Sequence, residues 1–348
     1  MDPCCAGNWT FVKALVRMDD QEMTDQSLDA RRARPPRIAE SAPENVVFGT
    51  GPLGLAVARH LAAAGKQVRL VNRSGNAPAP QGADVVAADA TDLAASRNVC
   101  EGAAVVYHCA TGAYGRWAQF LPPLMSGIIE GASAADAKLV YGDNLYAYGL
   151  VDGPITENLP YRPVGPNTRA RADVATTLMS AHAAGKIRAT IGRASDFYGP
   201  YARQSTAGDG TFARVLAGKG AQVLGDPDAL HTYTFIDDFA AGLVALAEQD
   251  EALGEVWHVP SAETVTTRRF LEMVFAKVHR PTTLQPAPKL AINLLAVFIP
   301  AMAAVKETSY QREHAWVVDH SKFSRAFGSR TTPHEQAISL TLDWFRST

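Results

Sequence analysis

Cysteine is scarce: four in 348 residues, at positions 4, 5, 100 and 109, with no CxxC pair. That excludes a dense disulfide framework and fits a reducing cytoplasm. An excess of either charge is missing too. The chain sets 33 Lys and Arg against 35 Asp and Glu, for a formal charge of −2, which gives no electrostatic footprint for nucleic acid or an anionic membrane. The nine histidines show no HExxH or other metal-ligand spacing, so no metal is expected. Long apolar runs are also lacking. Leu290 to Val305 is interrupted by Asn293 and Pro300 and falls short of the roughly 20 residues of a membrane span, so a buried or pocket-lining helix is expected there. No secretory leader pattern is present, and Asp19, Asp20 and Glu22 argue against a transit peptide. The expected partner is a small molecule.

Residues 1–44 carry charge clusters, Pro35-Pro36 and little apolar period, and a disordered N-terminal extension is expected. From residue 45 the sequence changes character. Val46, Val47 and Phe48 form a short apolar run that stops at Gly49, as a buried parallel strand does. Gly49, Gly51 and Gly54 have GxGxxG spacing: one glycine for the tight turn, one for close approach to a pyrophosphate, one for helix-on-strand packing. Pro52 suits a first helical turn, Leu53, Val57 and Leu61 share a face, and Gly65 is placed to stop the helix. A second strand over Gln67 to Val71 completes a dinucleotide-binding unit, with phosphate on the helix N-terminus.

That second strand ends in Asn72-Arg73-Ser74, where an acid would bind the ribose hydroxyls of NAD. Arg73, with Ser74 and Asn72, suits a 2′-phosphate instead, which favours NADP(H) over NAD(H); the alternative is a solvated loop arginine. Strand and helix then alternate through Ala83 to Ala88, Leu93 to Cys100 and Val105 to Cys109, the pattern of a doubly wound parallel sheet of Rossmann type. Asp89 and Ala90 follow the third strand where adenine is expected, and Asp92 is either part of that site or a helix N-cap. Cys109, Ala110 and Thr111 close the fourth strand at its ligand-binding edge. Tyr114 and Trp117 follow as pocket walls or as ordinary packing.

Further motifs join the glycine turn: YGDNLYAYG from Tyr141, RASDFYGP from Arg193, YTFIDDFA from Tyr233 and GEVWHVP from Gly254. Together they resemble the extended short-chain dehydrogenase/reductases, the NAD-dependent epimerases, dehydratases and carbonyl reductases, over residues 45–346. The resemblance implies a Ser or Thr, a Tyr and a Lys as catalytic groups. This chain has Asn144, Asn167 and Arg171 at those positions. Arginine can still bond a ribose, but an amide cannot cycle a proton, so Tyr146 is the expected substitute acid, with Asn144 as a donor to the substrate carbonyl. Asn144, Tyr146 and Tyr148 would share a face if the strand persisted. Tyr148 and Tyr198 are expected near the substrate.

Residues 45–200 are thus expected as the NAD(P)-binding domain and 201–348 as a smaller C-terminal substrate lobe, with 232–248 returning to the core. Asp237-Asp238 are expected to cap a helix. The family's habit implies a homodimer, using a stripe of Val174, Leu178 and Ala181 on the helix after Arg171. Three functions stay open: an NADP(H)-dependent oxidoreductase or epimerase-like enzyme acting on a small carbonyl or alcohol, a non-redox isomerase, cyclase or lyase, and an NADP(H)-sensing protein.

Overall fold

A computed structural model describes residues 43–112, 114–287, 294 and 296–348. The expected extension, up to residue 42, lies outside them, as do Cys4, Cys5 and most of the stretch 288–295. Alternating strands and helices come first: β1 (Asn45–Phe48), α1 (Pro52–Ala63), β2 (Val68–Asn72), β3 (Ala83–Ala87), α2 (Leu93–Cys100), β4 (Val105–His108), α3 (Trp117–Ala134), β5 (Lys138–Asp143), α4 (Pro166–Ala183) and β6 (Arg188–Arg193). After an excursion the chain returns as α5 (Ile236–Glu248) and β7 (Val256–His258). The seven strands lie in the order β7-β6-β5-β4-β1-β2-β3, every pair parallel. Strand order reverses between β1 and β4, and in such sheets the crevice outside the carboxyl ends at that point takes the ligand.

Both faces are covered, which is why the strands read as unbroken apolar runs. One face buries Val46, Val106, Leu139 and Ile191 against α3 and α4 through Leu121, Ile128, Val174 and Leu178. The other buries Val47, Leu70 and Val140 against α1 and α5 through Val57, Leu61, Phe239 and Leu243. Each fully buried side chain of this size contributes roughly 1.5–3 kcal/mol over its exposed state. A third core, with Tyr198, Phe212, Phe235, Phe270 and Leu342, forms the lobe. It is closed by α6 (Thr267–Lys277) and α8 (His334–Ser347), and α7 (Pro300–Glu307) meets the first turn of α4 through Glu307.

Four local expectations change. The return to the core extends past 248 through β7, because Val256, Trp257 and His258 complete the sheet against β6. Asp237 and Asp238 are not helix caps: Asp237 pairs with Arg59 of α1, and Asp238 accepts from the Thr332 amide and hydroxyl at 2.8 and 2.7 Å. Val174 and Leu178 face the protein's own core, so the outward face of α4 is polar, with Arg169, Asp173, Thr176, Thr177 and Ser180 on it. Finally, of the helix expected within 290–305, α7 from Pro300 buries Ala301, Met302, Ala304 and Val305, whereas Leu294, Val297 and Phe298 are exposed, and residues 290–293 and 295 lie outside the described residues.

Candidate functional site

The glycine turn fits its assigned mechanics, one position at a time. Gly49 has φ +99°, and a Cβ there would stand 2.7 Å from the Ala110 nitrogen on the neighbouring strand end. A Cβ on Gly54 would overlap the carbonyl oxygen of Gly49. Gly51 is the informative one, since a Cβ there would meet nothing within 4 Å; the fold does not need that glycine, but a closely approaching ligand does. Gly51 is also the N-cap of α1, with no side-chain cap, Pro52 following, and no acid in the first turn. The helix therefore presents bare amides and a positive dipole end to open space, which suits a phosphate. Leu53 is buried behind it, and Gly142 leaves room for its side chain.

At the end of β2, Asn72 organises the loop. Its Nδ2 donates to Thr50 Oγ1 and to the Asn76 carbonyl, both at 2.8 Å, and its Oδ1 accepts from the Gly75 amide at 2.7 Å. Ser74 Oγ donates to Asn72 Oδ1 at 3.2 Å, while Arg73 projects as an exposed side chain. Asp89 accepts from Thr91 at 2.9 and 2.8 Å, and Ala90 is buried beside it. Asp92 caps α2, accepting from the Ala94 and Ala95 amides. Cys109, Ala110 and Thr111 leave β4 with side chains grading from buried to exposed.

The expected catalytic groups divide between two buried polar clusters. In the first, Asp143 at the end of β5 bonds Arg171 Nη1 at 3.3 Å and Arg193 Nε at 3.0 Å, and all three side chains are shut off from solvent. Arg171 also donates to the Tyr141 hydroxyl at 3.0 Å, and its guanidinium lies 4.2 Å from the centre of the Trp117 ring. Two guanidiniums against one carboxylate leave a buried positive excess. Beside them His108 has both ring nitrogens unpartnered; burial, then Arg171, push it down to about 3, so it is neutral.

The second cluster centres on Tyr146. The chain leaves β5 for a 3₁₀ turn at Tyr146–Tyr148, with Asn144 Oδ1 accepting from the Tyr146 amide at 3.0 Å. Because the strand does not persist, Tyr148 turns away from Tyr146: it bonds His258 Nε2 at 3.0 Å in a core with Ile155 and Trp316. Tyr146 instead donates to Asp196 Oδ1 at 3.2 Å, and its ring stacks 5.9 Å from that of Trp117. Burial, then the Asp196 charge and Tyr114, raise its phenol well above the ordinary value, against Arg312 and Gln311.

Asn167 is a structural pin in this arrangement. Its Oδ1 accepts from the Trp117 amide at 3.2 Å, and its Nδ2 donates to Glu307 Oε2 at 3.0 Å. Glu307 of α7 also takes the Asn167 and Thr168 amides at 3.3 and 2.6 Å, so α4 is capped by a distant carboxylate where α1 is left bare. Tyr114 bonds Thr308 at 3.4 Å and packs edge-on against Trp117. Tyr198, expected as a pocket wall, sits fully buried in the lobe core among Phe212, Phe235 and Phe270 and bonds His334 at 3.0 Å. Sequence reasoning did not single out Asp196, His231, Glu307 or Arg312. Asp196 stood inside a motif used only for its resemblance, and no spacing rule links the other three to Tyr146. Among the described residues no group of His, Cys, Asp and Glu is arranged to hold a metal, and no helix is long and apolar enough to cross a membrane.

The family model "NAD dependent epimerase/dehydratase family" matches residues 46–259. Several solved structures share the fold. A dTDP-glucose 4,6-dehydratase of Streptomyces venezuelae with NAD bound is 17% identical at TM-score 0.71, covering 87% of this chain and 97% of its own. A UDP-glucose 4-epimerase of Thermus thermophilus in complex with NAD is 20% identical at TM-score 0.69, covering 87% and 99%. A putative epimerase of Burkholderia cenocepacia is 17% identical at TM-score 0.71, covering 91% and 100%. At these identities the likeness is one of fold. No curated protein matches by sequence.

Proposed function

We propose, since this chain belongs to the NAD dependent epimerase/dehydratase family, that it is an NADP(H)-dependent oxidoreductase or epimerase-like enzyme acting on a small carbonyl or alcohol. The observation that carries the cofactor reading is the uncapped α1 terminus at Gly51, open to solvent, with exposed Arg73 rather than an acid at the end of β2. The α1 amides would hold the pyrophosphate, Arg73 with Ser74 the 2′-phosphate, Asp89 and Ala90 the adenine end, and Cys109 to Thr111 the middle of the dinucleotide. When bound, the nicotinamide supplies or accepts hydride.

Toward the substrate, the reading assigns Tyr146 as the proton-carrying group, a neutral phenol at ordinary pH, and Asn144 as a polarising amide. Asn167 holds Trp117 and α7 in place rather than moving a proton. The buried positive excess of Arg171 and Arg193 over Asp143 favours negative charge developing nearby. Arg171 lies beneath Trp117, so contact with the nicotinamide ribose requires the indole to move aside. That cover, together with a Tyr146 hydrogen directed at Asp196, favours as a second reading a non-redox isomerase, cyclase or lyase on the same scaffold. The proposal includes a cytoplasmic setting and a homodimer, for which light scattering is the check. The deciding experiment is calorimetry with NADP(H) and NAD(H), followed by reduced-nicotinamide absorbance during turnover of small aldehydes and ketones. Tighter NADP(H) binding with nicotinamide turnover supports the first reading. Binding with substrate conversion but no nicotinamide change supports the second, and absence of dinucleotide binding overturns both.

A further inference from the structure

Asp196 Oδ2 and His231 Nε2 stand 3.4 Å apart, both buried, and neither atom has a well-aligned hydrogen-bond partner. The far side of the imidazole explains why this matters. His231 Nδ1 lies 3.1 Å from the main-chain carbonyl of Gln311, and a carbonyl only accepts, so Nδ1 carries the hydrogen. A neutral ring in that tautomer would leave the bare Nε2 only 3.4 Å from a carboxylate oxygen. Two acceptors facing each other away from water are unfavourable, and a single proton between them removes the conflict. Around the pair, Arg312 Nη1 lies 4.0 Å from Asp196 Oδ2, the Tyr233 ring 4.6 Å from the imidazole and the Tyr146 hydroxyl 3.2 Å from Asp196 Oδ1; the Thr206 hydroxyl bonds the carboxylate, and the Tyr114 and Tyr310 phenols feel its charge. Burial alone would raise the Asp196 carboxyl, but His231 and Arg312 outweigh it and hold it below its ordinary value.

We propose that Asp196 and His231 share one proton as a carboxylate–imidazolium pair, and that this pair is the positioning element that sets how tightly the Tyr146 hydrogen is held. The proposal rests on Tyr146 facing the substrate. With its charge balanced by the imidazolium, Asp196 is a weaker acceptor, and the phenol is available to an incoming substrate oxygen. Without that balance the carboxylate keeps the phenol hydrogen. Asp196 and His231 thus act through Tyr146 and need not touch the substrate.

The test needs neither substrate nor cofactor. Full-length protein labelled with ¹⁵N in histidine and ¹³Cζ in tyrosine is studied by NMR at neutral pH, with His231→Gln and Tyr146→Phe assigning the signals and circular dichroism checking that the variants fold. The expected result is a His231 ring with both nitrogens protonated, which loses the Nε2 proton in Asp196→Asn. The Tyr146 ¹³Cζ resonance should move downfield in His231→Gln, as the unbalanced carboxylate pulls harder on the phenol. A purely structural histidine would not impose that direction. A bare Nε2 in the parent protein overturns the shared proton, and an unmoved or upfield Tyr146 signal in His231→Gln overturns the coupling. Failure of the cofactor reading would appear in calorimetry and leave these spectra unchanged, so the two can fail separately.

Discussion

Arg171 Nη1 stands 3.3 Å from Asp143 Oδ1, with both side chains removed from water. A lone buried guanidinium is costly to desolvate, so the pair exists as a unit, and Arg193 at 3.0 Å shares the same carboxylate. Breaking such a pair by removing one partner typically costs about 3–5 kcal/mol. Asp143→Asn should therefore destabilise strongly, because it strands two guanidiniums at once. At about 2.1 cal/mol/K of unfolding entropy per residue, each kcal/mol moves Tm by about 1.5 °C in a chain of 348 residues, and calorimetry should show a fall of about 4–8 °C. A fall of one or two degrees would mean that water reaches the cluster.

Arg73 bears on cofactor choice. If its guanidinium meets a 2′-phosphate, that charge-assisted contact contributes about 1.5–3 kcal/mol, or roughly ten- to a hundredfold in affinity. NADP(H) should bind more tightly than NAD(H), and Arg73→Asp should narrow or reverse the difference with little change in Tm, since the side chain is exposed. Equal affinities in the parent protein would rule the assignment out.

Two neutral buried histidines set an acid limit. His108 and His258 are each pushed down to about 3, first by burial and then by Arg171 and Arg193 respectively. The unfolded chain takes up these protons near the ordinary value of about 6.5, so between roughly pH 6.5 and 3 it binds more protons than the folded chain. Stability must then rise with pH across that window. At pH 5 the cost is roughly 2 kcal/mol for each histidine, from about 1.4 kcal/mol per pH unit. Urea midpoints at pH 5 and 7.5 should differ accordingly, and His108→Leu should reduce the gap. Parallel pH dependence in parent and variant would exclude this cause for His108.

The range of each interaction decides how much of the molecule was readable in advance. The glycine turn and the strands flanking it are set by neighbours within a few residues, so spacing sufficed for the turn at Gly49 and Gly54, while for Asp92 it left two readings, of which the structure shows the α2 cap. The sheet class came from strand–helix alternation. Long-range partners were not legible: Glu307 caps α4 from 139 residues away, and Asp238 meets Thr332 across 94. The burial of Tyr148 and Tyr198 in cores was not legible for a related reason, since an aromatic at a motif end reads alike whether it faces a ligand or a core. For Tyr148 the deciding event was the 3₁₀ turn that ended the strand's alternation.

The contrast between Tyr146 and Asn167 tests the proposed chemistry. Asn167 occupies the position at which the family resemblance implies a proton carrier, yet its amide neither ionises nor shuttles a proton. Its bonds run to the Trp117 amide and to Glu307. Asn167→Ala should therefore cost stability, about 1–3 kcal/mol for the buried partners left unsatisfied, and shift substrate affinity while much of the turnover survives. Tyr146 carries the opposite expectation. Its phenol is held neutral well above the ordinary value, chiefly by burial and the Asp196 charge, so it remains a proton donor throughout the neutral range. Removing a general acid typically lowers the rate about 10²- to 10⁴-fold. Tyr146→Phe should lose that much kcat while NADP(H) affinity, measured by calorimetry, stays within about twofold, a difference well under 1 kcal/mol. Should Tyr146→Phe keep parental turnover while Asn144→Ala is inactive, the site works by amide polarisation alone and the non-redox reading gains. Should both variants turn over like the parent, neither residue belongs to the chemistry.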